Sequence, residues 1–144
     1  MFKIYSKGCE YALRALTQIP PELYDQNFLA KDLCKKAKVP EASTRKIFQS
    51  LVKSGVLSAV PGPGGGYVLT RSPAKISLLT IIKSVDGEDA FEKCIMGLPD
   101  CGQCNPCPVH NTWKKVKESI IKEMEVKSLA QLMGSVKKSK KSKS

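Results

Sequence analysis

Five metal-competent side chains crowd one short stretch: Cys94, Cys101, Cys104, Cys107 and His110, in the pattern C-x6-C-x2-C-x2-C-x2-H. That stretch takes four of the six cysteines and the single histidine of a 144-residue chain. Thiolates concentrated on a polar, Gly- and Pro-rich loop either hold a metal or pair with one another. No apolar run near Met1 looks like a leader, and none approaches a membrane span in length, so a cytoplasmic location is expected. Thiols are kept reduced in that compartment, which favours a metal site or a redox function over a disulfide framework.

The spacing admits more than one metal. C-x2-C and C-x2-H gaps suit tetrahedral zinc. The run from Cys101 to Pro108 also looks like the start of a bacterial ferredoxin loop, in which consecutive cysteines ligate one iron–sulfur cubane. Cys94, Cys101, Cys104 and Cys107 can then form a four-thiolate set without His110, whose other role is to cap or flank a following helix. Cys9 and Cys34 fall within helical patterns and read as small core residues.

The elements around the loop must explain a basic body. Lys and Arg total 24 against 13 Asp and Glu, a net charge of +11. Lys137, Lys138, Lys140, Lys141 and Lys143 carry five of those charges in the tail, and the remainder lies on the body. Such an excess favours polyanions, nucleic acid above all. Paired carboxylates and a nucleotide loop are missing, and the single histidine sits among thiols, so an enzyme is not expected.

Hydrophobic periodicity and cap residues set out a helix after Ser6, with Ala12, Ala15, Leu16 and Ile19 on one face. A second short helix is expected over residues 29–37 and a third over 41–54, ending at Gly55. The third has an apolar stripe of Ile47, Phe48, Leu51 and Val52 and a polar, basic opposite face. Two helices joined by a tight turn read as helix-turn-helix or as a plain helical hairpin. The next segment favours the first reading. A strand over 56–60, the turn Pro61-Gly62-Pro63-Gly64-Gly65-Gly66 and a return strand over 67–69 make a wing. The glycines are not followed by Lys-Ser/Thr, so the turn is not a phosphate-binding nucleotide loop. Ser77 caps a helix over 78–85, and a longer one over 111–126 carries Trp113, Val116, Ile120, Ile121 and Met124. That stripe packs on its own domain or on a second copy. Ser128 caps a last turn or two, and a Lys/Ser tail without order is expected.

With these residues together, the chain resembles the winged-helix iron–sulfur repressors typified by IscR and NsrR. The resemblance runs from about Phe2 to Met133. It rests on Ser6-Lys7-Gly8 with Tyr11-Ala12-Leu13-Arg14-Ala15-Leu16, on residues 51–57, on the Gly-Pro-Gly-Gly-Gly-Tyr wing, and on the cysteine loop before a Trp-bearing helix. It implies a mainly α winged helix-turn-helix with a two-stranded wing and a long C-terminal dimerisation helix. The expected division is residues 1–76 for DNA binding, 77–134 for the cluster loop and dimerisation helices, and 135–144 for the tail. The implied function is a homodimeric transcriptional regulator, often a repressor, on a double-stranded DNA operator. An iron–sulfur cluster would control it, 2Fe–2S favoured and 4Fe–4S also allowed, sensing iron–sulfur status, redox state or nitric oxide. Three cysteines of the family map onto Cys94, Cys101 and Cys107. The first gap is one residue longer here than is common. Members differ in the fourth ligand, for which this chain offers Cys104, His110 and, on the partner's first helix, Glu10.

For DNA, the expected major-groove residues are Ala42, Ser43, Thr44, Arg45 and Lys46, with Arg45 the best reader of guanine. Gln49 and Lys53 suit phosphate contacts, and Gly64, Gly65, Gly66 and Tyr67 should lie along a phosphate or minor groove. Two other functions remain: a winged-helix DNA binder with structural zinc, and a ferredoxin-like electron carrier, which leaves the wing without a purpose.

Overall fold

In the computed structural model, the described residues are 5–63, 65–91 and 108–142, with side chains described as far as 136. The element order is α1 (Lys7–Leu16), α2 (Ala30–Ala37), α3 (Glu41–Lys53), β1 (Leu57–Val60), β2 (Gly66–Leu69), α4 (Leu78–Asp86), α5 (His110–Val126) and α6 (Leu129–Ser142), with 3-10 turns at Pro21–Leu23 and Pro73–Lys75.

The ends of these helices follow from local chemistry. Ser6 caps α1 by accepting from the Cys9 amide at 3.1 Å, and Ser77 caps α4 by accepting from Thr80 at 3.0 Å. At the end of α3, Gly55 (φ +88°) takes the left-handed conformation that closes the helix. Its amide donates to the Val52 carbonyl, and the Val56 amide to that of Leu51. This is the six-to-one, five-to-two pairing that satisfies the last carbonyls of a helix.

One core lies beneath the helix-turn-helix. Leu16 and Ile19 meet Leu33, Phe48, Leu51, Leu57, Ile76 and Ile81, all buried. Phe48 stands edge-on to Phe28 and Tyr67, with ring centroids at 6.5 and 5.3 Å. Burying such a ring is worth about 1.5–3 kcal/mol. The wing pairs antiparallel, Leu57 opposite Leu69 through Val60 opposite Gly66, and Phe28 bridges to Tyr67 on its other side. A smaller cluster joins Cys9, Ile82, Ala90 and Phe91, with Ile121 and Met124 of α5 against it.

The last helix differs from expectation. Composition predicted an irregular tail beyond Gly134, whereas α6 continues to Ser142. Ser128 and Gln131 cap one another reciprocally, the Gln131 amide donating to Ser128 Oγ at 3.2 Å and the Ser128 amide to Gln131 Oε1 at 2.8 Å. Leu129 and Met133 are buried in the main core. With its first turn nucleated and docked, a Lys/Ser sequence without proline propagates, because Lys is a good helix former.

Candidate DNA interface and cysteine-loop roots

The turn before α3 is tight. Lys38 takes φ +58°, unusual for a side chain other than Gly or Asn, and the Lys38 and Val39 amides both turn back to Cys34. Arg14 of α1 donates from its guanidinium to the Ala37 carbonyl at 2.7 Å, which ties the end of α2 to α1. Pro40 then starts α3. This arrangement leaves Ala42, Ser43, Arg45, Lys46, Gln49 and Lys53 exposed. Ala42, Arg45, Lys46, Gln49 and Lys53 follow helical spacing along one face. Arg45 lies 3.8 Å from Glu41, both well exposed, so the pair is a weak restraint on the guanidinium.

Thr44 is a correction. It was expected to face DNA, but it is 0% exposed and its hydroxyl donates to the Pro40 carbonyl at 2.6 Å. Helical geometry puts it four residues before Phe48, on the core face, where its hydroxyl is satisfied by the carbonyl four residues back. The wing glycines also answer to the protein's own backbone. A Cβ on Gly65 would stand 2.1 Å from the Val60 carbonyl oxygen, and one on Gly66 2.2 Å from that of Phe28. Both positions therefore require Gly in order to close the hairpin and admit the Phe28 bridge. Tyr67 is half-buried, with its ring against Phe48 and Phe28, so it ties the wing to α3. Gly64 lies outside the described residues.

Cys94, Cys101, Cys104 and Cys107 also lie outside the described residues. The two roots of their loop are described. On one side, Asp86 ends α4, Gly87 (φ +95°) turns the chain, and Ala90 and Phe91 are buried against Cys9 and Ile82. On the other, His110 is the half-buried first residue of α5, and the Trp113 amide donates to the Val109 carbonyl at 2.8 Å. Glu10, in the first turn of α1, is half-buried and borders a cavity of about 300 Å³ between α1, α4, α5 and α6. Among the described residues no three His, Cys, Asp or Glu side chains gather into a metal-holding group.

The remaining cysteines behave as core. Burial pushes the Cys9 thiol up to about 12 from an ordinary 9.0, helped by the negative charge of Asp86. Burial raises Cys34 as well, partly offset by its hydrogen bond with Thr44. Both are poor thiolates and poor metal ligands.

Two helices joined by a tight turn, an exposed basic face on the second and a glycine-tipped hairpin beside it define a winged-helix DNA-binding transcriptional regulator. The chain belongs to the Rrf2 family of iron-dependent transcriptional regulators, whose model matches residues 5–135. A protein of Aquifex aeolicus (strain VF5) described as an HTH-type transcriptional regulator is 32% identical over 119 residues, which are 81% of this chain and 82% of that one. The regulator IscR of Yersinia pseudotuberculosis is 28% identical over 131 residues, 91% of this chain and 79% of that one. Among solved structures, T. potens IscR superposes with a TM-score of 0.69 at 22% identity, covering 91% of this chain and 86% of the other. CymR of B. subtilis, the global cysteine regulator, superposes with a TM-score of 0.68 at 20% identity, covering 93% and 98%. These likenesses bear out the winged-helix fold and the regulator reading. The relatives are named as regulators, not enzymes. No helix among the described residues is long and apolar enough to cross a membrane.

Proposed function

We propose that this chain acts as a cytoplasmic homodimer on a double-stranded DNA operator, and that its cysteine loop holds an iron–sulfur cluster whose state sets operator affinity. The observation that carries the reading is the division of the cysteines. Cys9 and Cys34 are buried with raised pKa values, so every thiol suited to metal lies in the loop between α4 and α5. The donor set fits the group. Soft thiolates at Cys94, Cys101 and Cys107 supply three ligands, and Cys104, His110 or Glu10 the fourth. When bound, the cluster supplies an oxidisable centre that reacts with oxygen or nitric oxide and is lost when iron is scarce. A fourth ligand of carboxylate or imidazole type is protonatable and leaves more readily than a thiolate, which suits sensing. Glu10 as that ligand, donated to the partner's loop, would make the cluster bridge the subunits.

Ala42, Ser43, Arg45, Lys46, Gln49 and Lys53 form the proposed reading face, with Arg45 the specificity determinant and Gly64 to Tyr67 the wing contact. The apolar side chains that α5 leaves exposed are the proposed dimer seam. The deciding experiment is purification without oxygen, with iron, sulfide and zinc measured per chain beside the visible absorption spectrum. Iron with matching sulfide and a brown colour is expected. Zinc without sulfide would replace the sensor with a structural metal loop and leave only the DNA-binding half of the proposal.

A further inference from the structure

The first turn of α1 touches both the root of the cysteine loop and the DNA-reading helix. Ser6, besides capping α1, gives its backbone N–H to the Asp86 carboxylate at 2.9 Å, and its hydroxyl donates to the other carboxylate oxygen. A pair of hydrogen bonds to an ionised acceptor is stronger than a neutral pair. Asp86 is the last residue of α4, so these bonds tie the start of α1 to the point where the chain leaves for the loop. Phe91, three positions before Cys94, is buried in the same cluster as Cys9. At Gly8, one residue before Cys9, α1 meets α3. A Cβ on Gly8 would lie 2.8 Å from Ile47 Cδ1 and 3.2 Å from its Cγ1, so there is no free space between the α1 backbone and this side chain. Ile47 adjoins Lys46 and follows Arg45 by two positions.

We infer that this junction is a mechanical coupler. A shift of the loop root passes through Asp86–Ser6 and Phe91–Cys9 to α1, and through the Gly8–Ile47 contact to α3 and its basic face. Close-packed contacts transmit displacement because they cannot be compressed at low cost. Asp86, Ser6 and Gly8 act as positioning residues and need not touch DNA or metal. The loop-to-α1 half rests on the sensor reading above, whereas the α1-to-α3 half does not.

The test uses the full chain, purified without oxygen. The probe is the tightest duplex that the wild-type protein selects from a random-sequence pool, with a scrambled duplex beside it. Affinity for each is measured with the loop loaded and after the iron is removed, and amide hydrogen exchange is followed over residues 45–51. Asp86→Ala should bring the loaded-to-stripped affinity ratio for the selected duplex about threefold or more closer to one. Scrambled-duplex affinity and iron content should stay at wild-type values, and the α3 amides should exchange faster. Asp86→Asn keeps an oxygen acceptor for Ser6 and should restore most of the effect. From the other side, Gly8→Ala should perturb α3 in the same way, and adding Ile47→Val, which removes Cδ1, should relieve it. Folded Asp86→Ala and Gly8→Ala proteins with the wild-type ratio and wild-type α3 exchange overturn the coupler. If the wild type carries no iron and sulfide, the sensor reading fails on that measurement, and α3 exchange in the two variants still decides the α1-to-α3 half.

Discussion

Helices α3 and α5 both carry an apolar stripe, and the chain treats the two stripes differently. In α3 the stripe is covered: Phe48 and Leu51 are fully buried under α1, α2 and the wing, and Ile47 and Val52 are half-buried against the same core. In α5 only Trp113 is buried. Ile121 and Met124 reach the small cluster at the end of α4, but Val116 is 43% exposed and Val126 70%. A stripe in sequence states that apolar surface exists and leaves open what covers it. Where the chain itself does the covering, the stripe reports stability. Where it does not, the stripe points outward, and the second copy proposed above is the occupant to test.

The largest expected effect separates the two helices by stability. Phe48→Ala should cost about 3–5 kcal/mol, since it opens a cavity between Phe28 and Tyr67. Val116→Ala should change unfolding of the dilute protein by no more than about 0.5 kcal/mol, as exposed sites do. Urea unfolding of both variants gives the comparison, and equal losses would end it. Val116→Glu together with Ile120→Glu inverts the logic: the fold should survive while sedimentation velocity shows a monomer. Operator affinity should then fall by about a hundredfold or more as the second half-site is lost. A dimer that persists would move the seam elsewhere on the surface.

Arg45→Ala acts on the outer face of α3 and should leave stability alone. A guanine-reading arginine contributes about 1–3 kcal/mol of discrimination. Preference for the selected over the scrambled duplex should therefore fall by about fivefold to 150-fold, while scrambled binding changes far less. Equal losses on both duplexes would make Arg45 a phosphate contact. The smallest effect concerns Cys9, in the cluster that covers the inner side of α5. Its folded pKa is raised to about 12, above an unfolded value near 9.0. The unfolded chain therefore loses this proton first, and the contribution to stability is complete below pH 9 and declines as pH rises toward 12. Cys9→Ala should flatten that part of the stability profile, and an unchanged slope would assign it to other groups. In the native protein at pH 8, Cys9 should also resist thiol reagents until unfolding exposes it.

Most element boundaries were legible because they depend on groups close in sequence. Ser6, Ser77 and Ser128 accept from amides three positions ahead, and Gly55 and the wing glycines mark turns by type. The four loop cysteines lie outside the described residues, so the donor set of the candidate metal site stands on sequence spacing alone. Less visible was how neighbours would use residues that looked free. Thr44 sits among polar residues and is nevertheless inside. Gly65 and Gly66 read as positions along a phosphate or minor groove, and the carbonyls of Val60 and Phe28 require glycine there independently of DNA.

The amino-acid sequence alone determined the caps, the helical faces, the wing and the clustering of thiols, because each arises from interactions within a few residues or from covalent spacing. Only the tertiary structure decided that Asp86 would meet Ser6 across 80 positions, that Ile47 would lie against Gly8, and that α6 would continue past Gly134. Those outcomes depend on which faces pack together, and close packing is a property of the assembled core rather than of any one segment.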